Sequence, residues 1–266
     1  LKRTTTFQRS LVLNITVGLL ILGGVLLAVS VIKSQLIARE LSRSLVGNTI
    51  HRIDAQVTRY LEPVRENLEA FGRLVSAGAL AAGESDGEII AASLRACVET
   101  FPQISSVHLA KESGWEMLIL RQPEGWLGRI TDPDRFAGRM RIRAWKEGDS
   151  IPEWSWAESD YDARLRPWFR DAVEELISTE DPPTSVEDGI CWTRPYRFHT
   201  TGEPGISASI ALRDDEELMV LAFDVLLRDV SSQTRPDRVQ TGIAFVIHQH
   251  RGEQTAELMA LPTHLD

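Results

Sequence analysis

Residues 105–131 read SSVHLAKESGWEMLILRQPEGWLGRIT. Three short runs, SSVHLAK, EMLILRQ and GWLGRIT, are separated by clusters holding glycine or proline. Runs of that length and spacing read as hairpin-linked strands, so an antiparallel meander is expected to begin near Ser105. Just upstream, residues 86–101 carry a helical pattern with Ser85 at the N-cap and Glu88 three residues later, the arrangement of a capping box. One helix followed by consecutive hairpin-linked strands argues an α+β domain.

Working back toward the N-terminus, residues 36–77 contain no turn cluster. Apolar residues recur there at Ile50, Ile53, Val57, Tyr60, Val64, Leu68, Phe71 and Val75, in steps of three and four. This is the stripe of a long helix that packs along a partner helix or along the flank of its own domain. Pro63 falls inside it and is expected to bend the helix. Further back, residues 11–32 read LVLNITVGLLILGGVLLAVSVI, 22 residues without a charge, against the roughly 20 needed to cross a bilayer. A secretory signal has a shorter apolar region of about 7 to 15 residues. Lys2, Arg3 and Arg9 precede the run and no acidic residue does, which places the N-terminal tail in the cytoplasm and everything after Lys33 outside.

Of the 266 residues, 43% are hydrophobic and 25% charged, enough for a sizeable core. Net charge is −9, and −12 once the three basic residues before the apolar run are set aside, which argues against a nucleic-acid partner. Cys97 and Cys191 have no metal-ligand spacing and are expected as free thiols, with a single bridge as the alternative. No Gly-rich phosphate loop, GxSxG, HExxH or CxxC occurs, so no catalytic residue, metal or cofactor is expected and the chain is not read as an enzyme. His248 and His250 alternate on a strand, but a pair without an acidic third ligand is read as surface histidines.

Downstream of the meander, residues 151–170 read IPEWSWAESDYDARLRPWFR, aromatic and charged with no clean period, and lead into a short helix over residues 167–177. A loop of this kind is where a binding site is built. Arg166 offers a planar fork of donors suited to a carboxylate, Tyr161 a hydroxyl and Trp168 an indole N–H. Arg164 and Asp162 are read as a surface pair, worth little. Asp224, between Phe223 and Val225 in an apolar run, needs a partner because an unpaired buried carboxylate is expensive. Either a ligand or a helix N-terminus satisfies it. Tyr196 is read as core.

The stretch YDARLRPWF, residues 161–169, resembles the Y-D-x-R-x-R-P-W-Y signature of the membrane-distal module of double Cache receptor domains, two tandem PAS-like modules hung on a long membrane-emerging helix. WTRPYRFHTTGEPGISASIAL resembles that family's returning strands, and LMVLAFDVLLRDVS its following strand and helix start. TGIAFVIHQHRGEQTAELMALP resembles the opening hairpin of a second module, with a turn around Arg251 and Gly252. The implied fold class is α+β. The expected organisation is a cytoplasmic tail (1–10), a transmembrane helix (11–32), a long signalling helix (33–80), a membrane-distal PAS-like Cache module (81–236) and the start of a membrane-proximal one (237–266).

The resemblance implies a sensor in the inner (plasma) membrane with most of its chain extracytoplasmic. Such a sensor binds a small amino acid, amine or carboxylate and pairs as a homodimer through the long helix. It regulates an output domain beyond this chain, such as a histidine kinase, nucleotide cyclase or phosphatase. In amino-acid-binding members the pattern implies Tyr161, Arg166 and Trp168 on the ligand carboxylate, with Phe169 and Asp224 at the amine positions. Phe169 lacks the hydroxyl found there, and a buried polar group left unpaired costs on the order of 1 to 3 kcal/mol. The rival expectation is a dimerisation or protein-contact module with no small ligand of its own.

Overall fold

The computed structural model describes residues 2–77, 87–178, 189–213, 217–232, 246–248 and 257–260. The chain falls into two compact units, Leu1–Arg52 and Ile53–Asp266. In the first, helix α1 (Lys2–Ser76) begins. Its stretch Thr16–Leu41 is long and apolar enough to cross a membrane, with a mean hydropathy of 2.2 and none of it buried. Length and composition alone support that reading.

In the second unit the rest of α1, running on through Pro63, is followed by α2 (Gly87–Thr100) and a meander of β1 (Ser106–Lys111), β2 (Glu116–Gln122) and β3 (Gly125–Thr131). Next come α3 (Pro133–Phe136), β4 (Arg139–Trp145) and β5 (Ser155–Glu158), then a 3-10 turn Ala163–Leu165 and α4 (Pro167–Ser178). The chain returns through β6 (Ile190–Trp192), β7 (Tyr196–Arg197), β8 (Pro204–Arg213) and β9 (Leu218–Leu226) into α5 (Leu227–Ser232). A separate antiparallel pair joins β10 (Val246–His248) and β11 (Glu257–Ala260). Ser85, His250 and the turn at Arg251 and Gly252 lie outside the described residues.

The main sheet is antiparallel throughout, in the order β5-β4-β3-β2-β1-β9-β8-β6, with β7 also on β8. The meander begins where its sequence predicts, and the late strand β9 inserts beside the early strand β1. This is an α+β arrangement, as expected. One part of the loop reading is corrected: Ser155–Glu158 forms the edge strand β5, pairing Arg139 with Glu158 and Ile142 with Ser155.

Both faces of the central strands are buried, and the period of two sorts their side chains. One face carries Val107, Leu109, Met117, Ile119, Ile206, Ile210, Leu221, Phe223 and Val225. These pack with Val64, Leu68 and Val75 of α1 and with Ile90, Leu94 and Cys97 of α2 in the main core. Phe71 of α1 meets Phe223 edge-on, with ring centroids 6.1 Å apart. From Val57 onward the helical stripe therefore covers its own sheet, whereas Ile50 is exposed. The opposite face carries Ser106, His108, Glu116, Arg129, Ser207 and Asp224, all buried, and α4 packs on its β8 and β9 side. Both cysteines are free, Cys97 in the core and Cys191 half-buried.

Leu68 is fully buried where α1 meets the sheet. Leu68→Ala is expected to lower the unfolding free energy by about 2 to 5 kcal/mol, read from urea titration followed by tryptophan fluorescence. Ile50→Ala, at an exposed position, should stay within about 0.5 kcal/mol of the parent.

Candidate functional site

The register of the central strands brings four polar positions together. Ser106 lies opposite Asp224, and Asp224 opposite Ser207, across β1, β9 and β8. Two residues further along β1 comes His108, on the same face as Ser106. Glu116 opens β2 and lies opposite Thr131 of β3, with Arg129 on the same side of that strand.

These side chains form a continuous buried network. Asp224 Oδ2 accepts the Ser106 hydroxyl at 2.7 Å and lies 2.9 Å from His108 Nε2. Asp224 Oδ1 accepts a short bond from Ser207 Oγ, which is itself 2.7 Å from the Tyr196 hydroxyl. On the other side of the imidazole, His108 Nδ1 is 2.9 Å from Glu116 Oε1. Glu116 also accepts Arg129 through both oxygens, at 2.8 and 3.3 Å, and Thr131 Oγ1 at 3.1 Å. The Arg129 guanidinium continues to Thr200 Oγ1 at 2.7 Å and stacks 3.9 Å over the Tyr161 ring.

Burial alone lowers the pKa of His108, but Asp224 and Glu116 overcome it and raise it to about 9. Burial likewise opposes ionisation of Glu116, yet Arg129 and His108 bring it down to about 2. The Tyr161 and Tyr196 phenols are pushed well up, first by burial, so both are neutral donors at ordinary pH. Burial, with Arg129 and Arg166 nearby, lowers His199 and favours its neutral form.

Over this floor lies a narrow cleft with an internal volume of about 20 Å³, lined among others by His108, Tyr161, Arg166, Trp168, Tyr196 and Asp224. Local chain chemistry sets its wall. Asp162 caps the 3-10 turn by accepting Arg164 N at 2.9 Å, and its carboxylate also holds the Arg164 side chain, which reaches Asp134 at 3.1 Å. Arg164 and Asp162 are thus the structural pair expected of them. Arg166 precedes Pro167 and so is extended (φ −86, ψ 148), while the proline opens α4. The half-buried Arg166 donates to the Arg197 carbonyl at 3.3 Å and has its guanidinium 5.9 Å from the rings of both Tyr161 and Tyr196. Among the described residues it forms no ion pair.

Trp168 is buried with its ring 4.9 Å from that of His108. Tyr161, Arg166, Trp168 and Asp224 therefore meet at one cleft. Phe169 does not line it. Consecutive helical positions diverge by about 100°, and the Phe169 ring packs edge-on to Trp168 at 5.8 Å, beside a surface recess lined by Arg164, Arg170 and Val173. Tyr196, read as core, is half-buried and lines the cleft. Behind it, a Cβ on Gly205 would collide with the Phe198 ring, another part of the lining, so glycine there lets that ring seat.

The sequence reading missed His108, Glu116 and Arg129. The signal was available in the argument used for Asp224: His108 sits between Val107 and Leu109 in an apolar strand, where a polar side chain needs buried partners. Among the described residues no cluster of metal-ligating side chains occurs.

No family model matches the chain. Over 139 residues, 51% of this chain and 19% of the relative, it is 29% identical to the methyl-accepting chemotaxis protein McpC of Bacillus subtilis, so it spans about a fifth of that relative's length. Among solved structures it is similar to the ligand-binding domain of the Campylobacter jejuni chemoreceptor Tlp3 in complex with L-valine, with a TM-score of 0.47 and 15% identity, covering 84% of this chain and 73% of that one. It is also similar to the ligand-binding domain of the Pseudomonas aeruginosa amino acid chemoreceptor PctC in complex with GABA, with a TM-score of 0.44 and 18% identity, covering 73% of this chain and 68% of that one.

The sign of the pH dependence follows from the network. The raised pKa of His108 makes its contribution complete below about 6.5 and lost as pH rises through about 9. Glu116, with its pKa lowered, contributes fully above about 4.5 and loses that contribution as pH falls toward about 2. The urea midpoint should therefore be highest between those limits and decline from pH 6.5 to 9. His108→Gln should flatten the alkaline decline. An equal decline in parent and variant would assign it to other groups.

Proposed function

We infer that this Cache-type module is the ligand-sensing region of a bacterial transmembrane signalling receptor, binding a small carboxylate-bearing solute in the cleft beneath α4. The observation that carries the reading is Arg166: a half-buried guanidinium on the cleft lining, bonded to a backbone carbonyl and to no carboxylate among the described residues. A carboxylate placed there would take the planar fork of Arg166, with the neutral Tyr161 phenol and the Trp168 indole beside it. The sequence similarity to a chemotaxis receptor supports the same class of function.

The apolar stretch Thr16–Leu41 anchors the chain in the inner membrane, with the module outside and the short N-terminal tail in the cytoplasm. Signal passage has a physical route through the sheet. On β1 and β9, His108 and Asp224 face the cleft while Leu109 and Phe223 face the core shared with α1. A ligand that moves these strands moves the seat of α1, to the extent that it binds two receptor states unequally. The α1 stripe is occupied by its own sheet, so a homodimer through the long helix pairs on the remaining faces of α1.

A thermal-shift screen of the chain in detergent against small amino acids, amines and carboxylates tests the reading. A ligand at a thousand times its Kd adds about 4 kcal/mol of stability. Arg166→Ala should abolish the shift, and Arg164→Ala, whose side chain is bound to Asp162 and Asp134, should retain it. A folded sample that no compound stabilises would favour a protein-contact module instead.

A further inference from the structure

The inference concerns ligand class and rests on the function proposed above. His108 is held between two carboxylates, Nδ1 at 2.9 Å from Glu116 and Nε2 at 2.9 Å from Asp224. A neutral imidazole has one N–H to donate, and an ionised carboxylate has none. Satisfying both contacts requires one proton more than neutral histidine and two carboxylates supply, and its natural form is the imidazolium. The charges of the floor then close among themselves: Glu116 is matched by Arg129 and Asp224 by His108.

Asp224 is also nearly saturated as an acceptor. Oδ2 takes Ser106 and His108, and Oδ1 takes Ser207. Its remaining lone pair belongs to a carboxylate whose charge is already neutralised. Of the charged groups lining the cleft, Arg166 alone is left without an opposite charge among the described residues, since His199 is driven toward its neutral form by burial and by the neighbouring arginines. Asp160, in the loop beside Tyr161, is exposed and off the lining.

We propose that the cleft selects small monocarboxylates lacking an amine over the corresponding α-amino acids, because its free charge is a single positive one and Asp224 is already committed to His108. An α-ammonium brought into the cleft would be desolvated beside a neutralised carboxylate and two paired cations, which is unfavourable. A carboxylate alone meets only Arg166 and neutral donors. Phe169, which follows Trp168 on α4, is not on the cleft lining and has no polar group to offer an amine.

The test is isothermal titration of the whole chain in detergent at pH 7 with matched pairs that differ by the amine: propionate with alanine, isovalerate with valine, and 3-phenylpropionate with phenylalanine. In each pair that binds, the amine-free acid is expected to bind at least tenfold more tightly. Arg166→Ala should remove binding of both members. His108→Gln, which withdraws the positive charge from Asp224, should shrink the ratio toward one or invert it. Tighter binding of the amino acid in its pair, dependent on Arg166, overturns the selectivity while leaving the sensor reading in place. Absence of binding by every compound from a folded protein overturns both.

Discussion

The arrangement on which the rest of this module depends is an imidazole clasped by two carboxylates in the middle of a sheet buried on both faces. His108, Asp224 and Glu116 lie on three adjacent strands, β1, β9 and β2, and each group would be expensive without the others. Their mutual satisfaction makes strand order and register consequential. A slip of one residue between β1 and β9 would turn His108 into the apolar core and Leu109 toward the cleft. The network is thus a device for specifying register as much as a source of stability, and buried ionic groups serve best in that role.

The same network determines what the cleft can be. By consuming the charge of Asp224 and Glu116 inside the floor, it leaves the chemistry of the opening to Arg166 and to neutral donors on Tyr161 and Trp168. The wall is positioned by local rules that owe nothing to the floor: an Asx-capped turn that ties Arg164 down, a residue before proline held extended, and a proline that starts α4. Floor and wall meet because Trp168 packs against the His108 ring. The opposite face of the same strands seats α1, so the cleft and the long helix share one sheet as their common support.

Much of the fold could be read directly. Short β-rich runs separated by glycine and proline located the meander, and three-and-four spacing located the part of α1 that covers the sheet, because burial on one face imposes that period on a helix. The edge strand β5 was missed, since an exposed strand of four residues with aromatic and acidic side chains carries no burial pattern to detect. Of the expected site residues, Tyr161, Arg166, Trp168 and Asp224 converge on one cleft, and Phe169 packs elsewhere because it follows Trp168 on the same helix.

What the amino-acid sequence determined by itself was the inventory of local structure: an apolar stretch long enough to span a bilayer, an amphipathic helix, a strand meander, and an aromatic, charged loop carrying Arg166 close to Trp168. These depend on neighbours a few positions apart, and such neighbours are visible in a string of letters. What only the tertiary structure decided was which polar residues partner one another. Asp224 lies 116 positions from His108 in the chain and 2.9 Å from it in space. The pairing arises because β9 inserts beside β1, a long-range choice made by the packing of the whole sheet. Whether Asp224 is free to hold an amine or committed to His108 turns on that adjacency, since a charge already matched inside the protein no longer attracts a ligand.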